Sequence, residues 1–201
     1  MAPGEDKAWE IIRGLDPAIV CKNAQIAFDA VSGLYLLRSF GMTVSIDPAR
    51  KHIFSDAPDA ALLLDRLGYF SRLSILWYLT SAKDIPLSGR LVQPLNLKGG
   101  QIFFRGTHIL PLEKLAVRYG SDTEGFLRRG DQLGGRRREH GDASIELSPF
   151  PRIPVILVLW KDDEEFPARV DLLFDSTCEF HLALDMIWST AMKSILIMMS
   201  P

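Results

Sequence analysis

The segment Ser148–Asp175, SPFPRIPVILVLWKDDEEFPARVDLLFD, constrains the fold more than any other part of the chain. The seven residues from Pro154 to Trp160 carry no charge and are mostly branched or aromatic, the five from Lys161 to Glu165 are all charged, and Arg169 to Phe174 is apolar again. An unbroken run of Val, Ile, Leu and Trp suits a strand covered on both faces. The charged interval, closed by Pro167, cannot continue in that sheet, so the pattern predicts a buried hairpin with an acidic tip. Asp142–Leu147 precedes it as a third strand.

Shorter β-favouring runs at Leu34–Arg38, Met42–Ile46 and Lys51–Phe54, separated by Phe40-Gly41 and Asp47-Pro48, predict an earlier meander, also of three strands. Helices are expected at Glu5–Arg13 and, from an Asp16 cap and Pro17, through Ala24. Ser55–Pro58 starts a helix to Gly68, and Ser71 restarts one that is apolar nearly all round over Ile75–Leu79. A strand at Gln101–Arg105 and a helix at Pro111–Tyr119 follow. Ser121-x-x-Glu124 reads as a capping box for a helix stopped by Gly134-Gly135. The last helix is capped by Ser176 or Thr177 and carries an apolar stripe from Phe180 to Met199. Between them, Asp84–Gly100 has no period and reads as an ordered surface connection, with a lid as its alternative. The expectation is an α+β fold over residues 1–201, a single domain whose antiparallel sheet comes from two three-stranded meanders packed with about six helices.

Composition closes off several functions. At 201 residues the chain can bury a core of its own, and 47% apolar with 24% charged residues argues against disorder. A net charge of -2 leaves no general footprint for nucleic acid. Cys21 and Cys178 are far apart and lack C-x-x-C spacing, so no intrinsic iron–sulfur or zinc site is expected. Acidic residues in MAPGEDKAWE, where a secretory signal would be basic, predict a cytoplasmic protein. Ala191–Met199, interrupted by Lys193, is too short to be a membrane anchor.

No P-loop, G-x-G-x-x-G, G-x-S-x-G or H-E-x-x-H motif occurs, and His52, His108, His140 and His181 do not fall at metal-ligand spacing. The chemistry that remains is the run Asp162-Asp163-Glu164-Glu165 beside Trp160. Crowded carboxylates raise one another's pKa or attract a hard cation, which makes Asp163, Glu164 and Glu165 candidate acids and Asp162, Asp163 and Glu165 candidate metal ligands. Alternation along a strand allows only half of them to converge unless the tip is irregular. Asp142, entering the neighbouring strand, could orient His140; a bond to its own Gly141 turn is the plainer alternative. Trp160, Arg136 and Arg137 are the candidate contacts for a ligand, the arginines for an anion.

In order and spacing, Leu133-Gly134-Gly135, Gly141-Asp142-Ala143, Pro151-Arg152-Ile153-Pro154, Leu159-Trp160 with Asp163-Glu164-Glu165-Phe166-Pro167, and Leu172-Leu173-Phe174-Asp175 resemble the family catalogued as domain of unknown function 3786. Leu76–Ile85 and Gly99-Gly100 resemble its middle section, so the likeness covers essentially the whole chain. It implies a cytoplasmic protein typical of anaerobic prokaryotes. Some relatives carry an added four-cysteine iron–sulfur segment like that of corrinoid proteins; this chain lacks those cysteines, so a cluster would belong to a partner. The resemblance brings no activity and no residue roles. Three functions are therefore carried forward. The first is a non-catalytic binding or accessory module for a protein partner or small ligand, redox or corrinoid-linked by the resemblance. The second is an enzyme using the tip 162–165, and the third a homodimer joined through Met192, Met198 and Met199 of the last helix.

Overall fold

Two antiparallel sheets divide the strands of the computed structural model, which describes residues 3–58 and 60–200. The first is a meander of β1 (Ala27–Asp29), β2 (Leu34–Ser39), β3 (Met42–Asp47) and β4 (His52–Phe54). The second contains β5 (Leu91–Val92), β6 (Arg136–Arg138), β7 (Ala143–Phe150), β8 (Ile153–Trp160) and β9 (Arg169–Asp175), in the order β5-β9-β8-β7-β6. Both predicted meanders are present, and each is wider than three strands. The additions β1, β5 and β6 have two or three residues, too few to show a period. Arg136–Arg138 is an edge strand, and its charges discourage further strand addition.

Helices α1 (Pro3–Gly14) and α2 (Pro17–Ala24) open the chain as predicted, with the Asp16 carboxylate accepting from the Ala18 N–H at 2.8 Å. Before α3 (Gly68–Ser81) lies a π-helical turn, Leu62–Arg66, in which the Leu67 N–H donates to the Leu62 carbonyl. Gly68 therefore begins the core helix instead of ending one. The strand expected at Gln101–Arg105 is the helical turn α4 (Gly100–Phe103), closed by the Phe104 N–H donating to Gly100 O at 2.9 Å. Its aromatic side chains pack from a turn, and tertiary contacts override their β preference. Helices α5 (Leu112–Tyr119) and α6 (Thr123–Gln132) follow, α6 capped by Asp122 rather than Ser121, through a 2.8 Å bond from the Gly125 N–H.

The last helix is divided. Asp175 accepts from the N–H and hydroxyl of Thr177, which holds that residue at the strand end, and α7 (Cys178–His181) makes a single turn. Leu182 and Ala183 are extended before α8 (Leu184–Met199) begins. α8 runs through the core against α3. Met198 is fully buried in the chain's own core, and Met192 and Met199 pack against it, so the methionine face proposed for a homodimer is largely occupied within the chain.

β8 is covered on both faces, as its composition demands. Val155, Leu157 and Leu159 join the core, while Ile156 and Val158 on the other face are each 2% exposed. Part of that second cover is the turn before β7. Gly141 (φ +59°) lies so close that a Cβ there would stand 2.7 Å from Val158 and 2.8 Å from the Leu159 carbonyl. Only glycine satisfies both the dihedral and the contact.

The two sheets meet at the β2–β3 turn: the Phe40 N–H donates to Ser148 O and the Ser39 hydroxyl to Pro149 O, both at 2.9 Å. Arg152, in the β7–β8 turn, fastens the same end. Its guanidinium donates to the carbonyls of Lys22, Asn23 and Ile85 and to the Asp84 carboxylate, and its N–H donates to the Tyr78 hydroxyl. Asp175, 3% exposed, accepts from the N–H and hydroxyl of Ser88 and from the Gly89 N–H. The aperiodic segment after α3 is thus an ordered connection tied to β9. Among the described residues no helix is long and apolar enough to cross a membrane.

Candidate functional site

The β8–β9 register puts Trp160 directly opposite Arg169, and the loop between them is the acidic tip. The Trp160 indole N–H donates to Asp171 at 2.9 Å, and the Arg169 guanidinium lies 4.8 Å above the indole ring. Trp160 is therefore held at its polar edge and covered on one face by a cation, an arrangement favourable for its quadrupole. Lys161 to Pro167 are all exposed.

The tip carboxylates have separate partners. Asp163 closes the turn: it accepts from the N–H groups of Glu165 (2.9 Å) and Phe166 (2.7 Å), and its own N–H donates to Phe166 O. Those backbone donors hold its carboxyl below the usual aspartate value. Asp142 accepts from the Lys161 N–H at 2.9 Å across the hairpin, rather than bonding its own glycine turn. His140 is fixed through its backbone N–H to the Ser144 hydroxyl, and no hydrogen bond joins its imidazole to Asp142. The predicted orienting pair is not assembled. Asp162, Glu164 and Glu165 join no ion pair among the described residues. Nor do any three His, Cys, Asp or Glu side chains there converge as a cation site, so Asp162, Asp163 and Glu165 are not gathered into a ligand set.

Arg136 and Arg137 are likewise engaged. Arg136 and Arg138 both reach Glu146 at 3.3 Å, and Arg137 meets Asp131 at 2.6 Å, depressing that carboxyl's pKa. Burial pushes the Cys178 thiol up to about 12 and raises Cys21, leaving both protonated and poorly nucleophilic.

What the tip does offer is surface. One cleft of about 580 Å³ is lined by Asp142, Trp160, Lys161, Phe166 and Arg169. Another, of about 530 Å³, lies between the tip and α5, where Val117 and Phe166 are 88% and 66% exposed. Arg169, Phe166 and Val117 are absent from the sequence-based candidates. Arg169 was within reach of such reasoning, because pairing the two strands outward from the acidic loop sets it across from Trp160. Val117 carries no such signal, since its position depends on how α5 packs beside β9.

No curated protein and no solved structure matches the chain. The family model described as Domain of unknown function (DUF3786) matches residues 16–196, which takes in every strand and every helix except α1, stopping three residues short of the end of α8. The chain belongs to that family.

Proposed function

We propose that the chain is a non-catalytic binding module that meets its partner through the tip of the β8–β9 hairpin. The observation that carries this reading is the disposition of the tip. Asp142 and Asp163 are engaged by hairpin N–H groups, whereas Phe166 and Val117 stand exposed at a cleft edged by carboxylates that form no ion pair among the described residues. The acid–base pair expected there, His140 with Asp142, is not joined by a hydrogen bond. Contact surfaces, in contrast, characteristically combine an exposed aromatic anchor with a polar rim. We take the module to act in the prokaryotic cytoplasm, on the family resemblance alone.

The test has two arms. A co-purifying partner recovered with the wild-type chain and with Arg137→Ala, but lost with Phe166→Ser, supports the reading. A partner retained equally by Phe166→Ser refutes it. In parallel, a thermal-shift screen covers divalent metals, corrinoids, nucleotides and anions, since ligands that bind only the folded state raise the melting point. A metal response lost in Glu164→Ala or Glu165→Ala and kept in Arg137→Ala would replace the binding module with the enzyme reading.

A further inference from the structure

A third concavity lies at the edge of the five-stranded sheet, beside β9. It encloses about 280 Å³ between β9 and the chain from Gln93 to Leu112. Its apolar wall includes Phe104, Leu110 and Leu172, all buried, and its rim includes Leu95 and Ile109, which are 46% and 61% exposed. Asp171 is the one charged residue of the lining. Its carboxylate accepts a hydrogen bond from Trp160 and belongs to no ion pair among the described residues.

The walls are fixed by contacts elsewhere. The Trp188 indole donates to His108 O at 2.9 Å, and His108 stacks on Phe103 at 4.4 Å, which anchors the outer wall to α8. Lys98 N–H donates to Glu179 at 2.6 Å, securing the turn beside it. A fixed, mostly apolar pocket with a few polar groups to orient its guest, here Asp171 and Gln93, is the usual form of a small-molecule site. Cavities of roughly 150 Å³ already admit benzene, so this one accommodates a ring with a short side chain.

We propose that this pocket binds a small apolar amine, its hydrocarbon part among Phe104, Leu110 and Leu172 and its ammonium group at Asp171. Charge selects the class. A carboxylate-bearing ligand would meet Asp171 with like charge, a neutral one would forgo a charge-assisted hydrogen bond, and an ammonium gains both the attraction and the bond. The proposal goes beyond the hairpin-tip reading and survives its failure, because the two surfaces share no lining residue.

The experiment compares phenethylamine, 2-phenylethanol and 3-phenylpropionate on the purified full chain by ligand-observed NMR and calorimetry at neutral pH. The expected order is amine, then alcohol, then carboxylate, with a Kd of about 1 mM or tighter for the amine. Asp171→Asn keeps a carbonyl acceptor for Trp160 and removes the charge, so it weakens the amine by roughly tenfold or more and leaves the alcohol nearly unchanged. Ile109→Trp, at an exposed rim position, fills the mouth and abolishes binding of both; Leu95→Trp replaces it should melting curves show that the first variant misfolds. Three results would overturn the proposal: no amine binding to the wild type at about 10 mM, carboxylate binding equal to the amine, or amine binding undiminished in both variant types.

Discussion

Lys193 lies in the middle of α8 with no exposed surface, and its fate under titration tests the account of the core. Its ammonium nitrogen stands 3.7 Å from the Phe150 ring centroid and 5.9 Å from that of Phe40, and donates to the Ser74 hydroxyl at 3.3 Å. Tyr78 is also stacked with Phe150, at 4.4 Å. No carboxylate is within ion-pair distance of Lys193 among the described residues. Burial therefore pushes its pKa well below the ordinary lysine value of 10.5. The sign follows from proton counting. Where the folded chain holds a neutral amine and the unfolded chain an ammonium, unfolding takes up a proton, so stability rises with pH until the unfolded lysine also titrates near 10.5. One such proton corresponds to about 1.4 kcal/mol per pH unit. Lys193→Met keeps the length and apolar stem and removes the titration. Urea unfolding followed by circular dichroism between pH 8 and pH 9.5 should give stability that rises with pH more steeply in the wild type than in the variant, by at most about one proton's worth, with the variant the more stable at the lower pH. Cation–π attraction to Phe150 and Phe40 opposes this, at about 2 kcal/mol for a desolvated pair. Parallel pH profiles for wild type and Lys193→Met would mean that the rings hold the charge and that the burial argument is wrong.

Arg152→Met should lower stability by about 3–5 kcal/mol in denaturant titrations, since it strips the carbonyls of Lys22, Asn23 and Ile85 of their donor; a loss under 1 kcal/mol would show that water replaces the guanidinium. His181 is 1% exposed, and burial lowers its pKa to about 4, with the charges of Arg152 and Lys83 acting in the same direction. The unfolded chain thus binds a proton more readily between pH 6.5 and pH 4, and acidification through that window should remove up to about 3 kcal/mol of stability. His181→Asn, which keeps an acceptor for the Lys83 N–H, should flatten that acid limb; an unchanged limb assigns the acid sensitivity to other groups.

The central hairpin is legible in the sequence because burial on both faces leaves an uninterrupted apolar run, and a charged interval with proline marks its end. β6 is not legible, since three arginines resemble solvated surface until Glu146 is found opposite them. α4 is misread because Ile102, Phe103 and Phe104 have the composition of a strand, and the neighbouring turns that fold them into a helix depend on distant packing. For the site, the acidic tip is obvious in one dimension, but its individual roles are not. That Asp163 would cap its own turn, and Asp142 the far strand, depends on backbone N–H directions that no spacing rule encodes. Lys193 interrupts an apolar stripe, and its full burial follows only once α3 and both sheets close around α8.

The knot at Arg152 has a consequence for synthesis. It gathers Lys22 and Asn23, Tyr78, and Asp84 and Ile85, partners separated from it by 67 to 130 positions. On a ribosome these groups emerge long before the arginine that satisfies them, and α8, around which the core closes, emerges later still. α1 and α2 cover part of α3 early, but the face of α3 that α8 covers stays open until α8 is made. Closure of the core is thus coupled to the appearance of α8 rather than to the order in which the earlier elements are made.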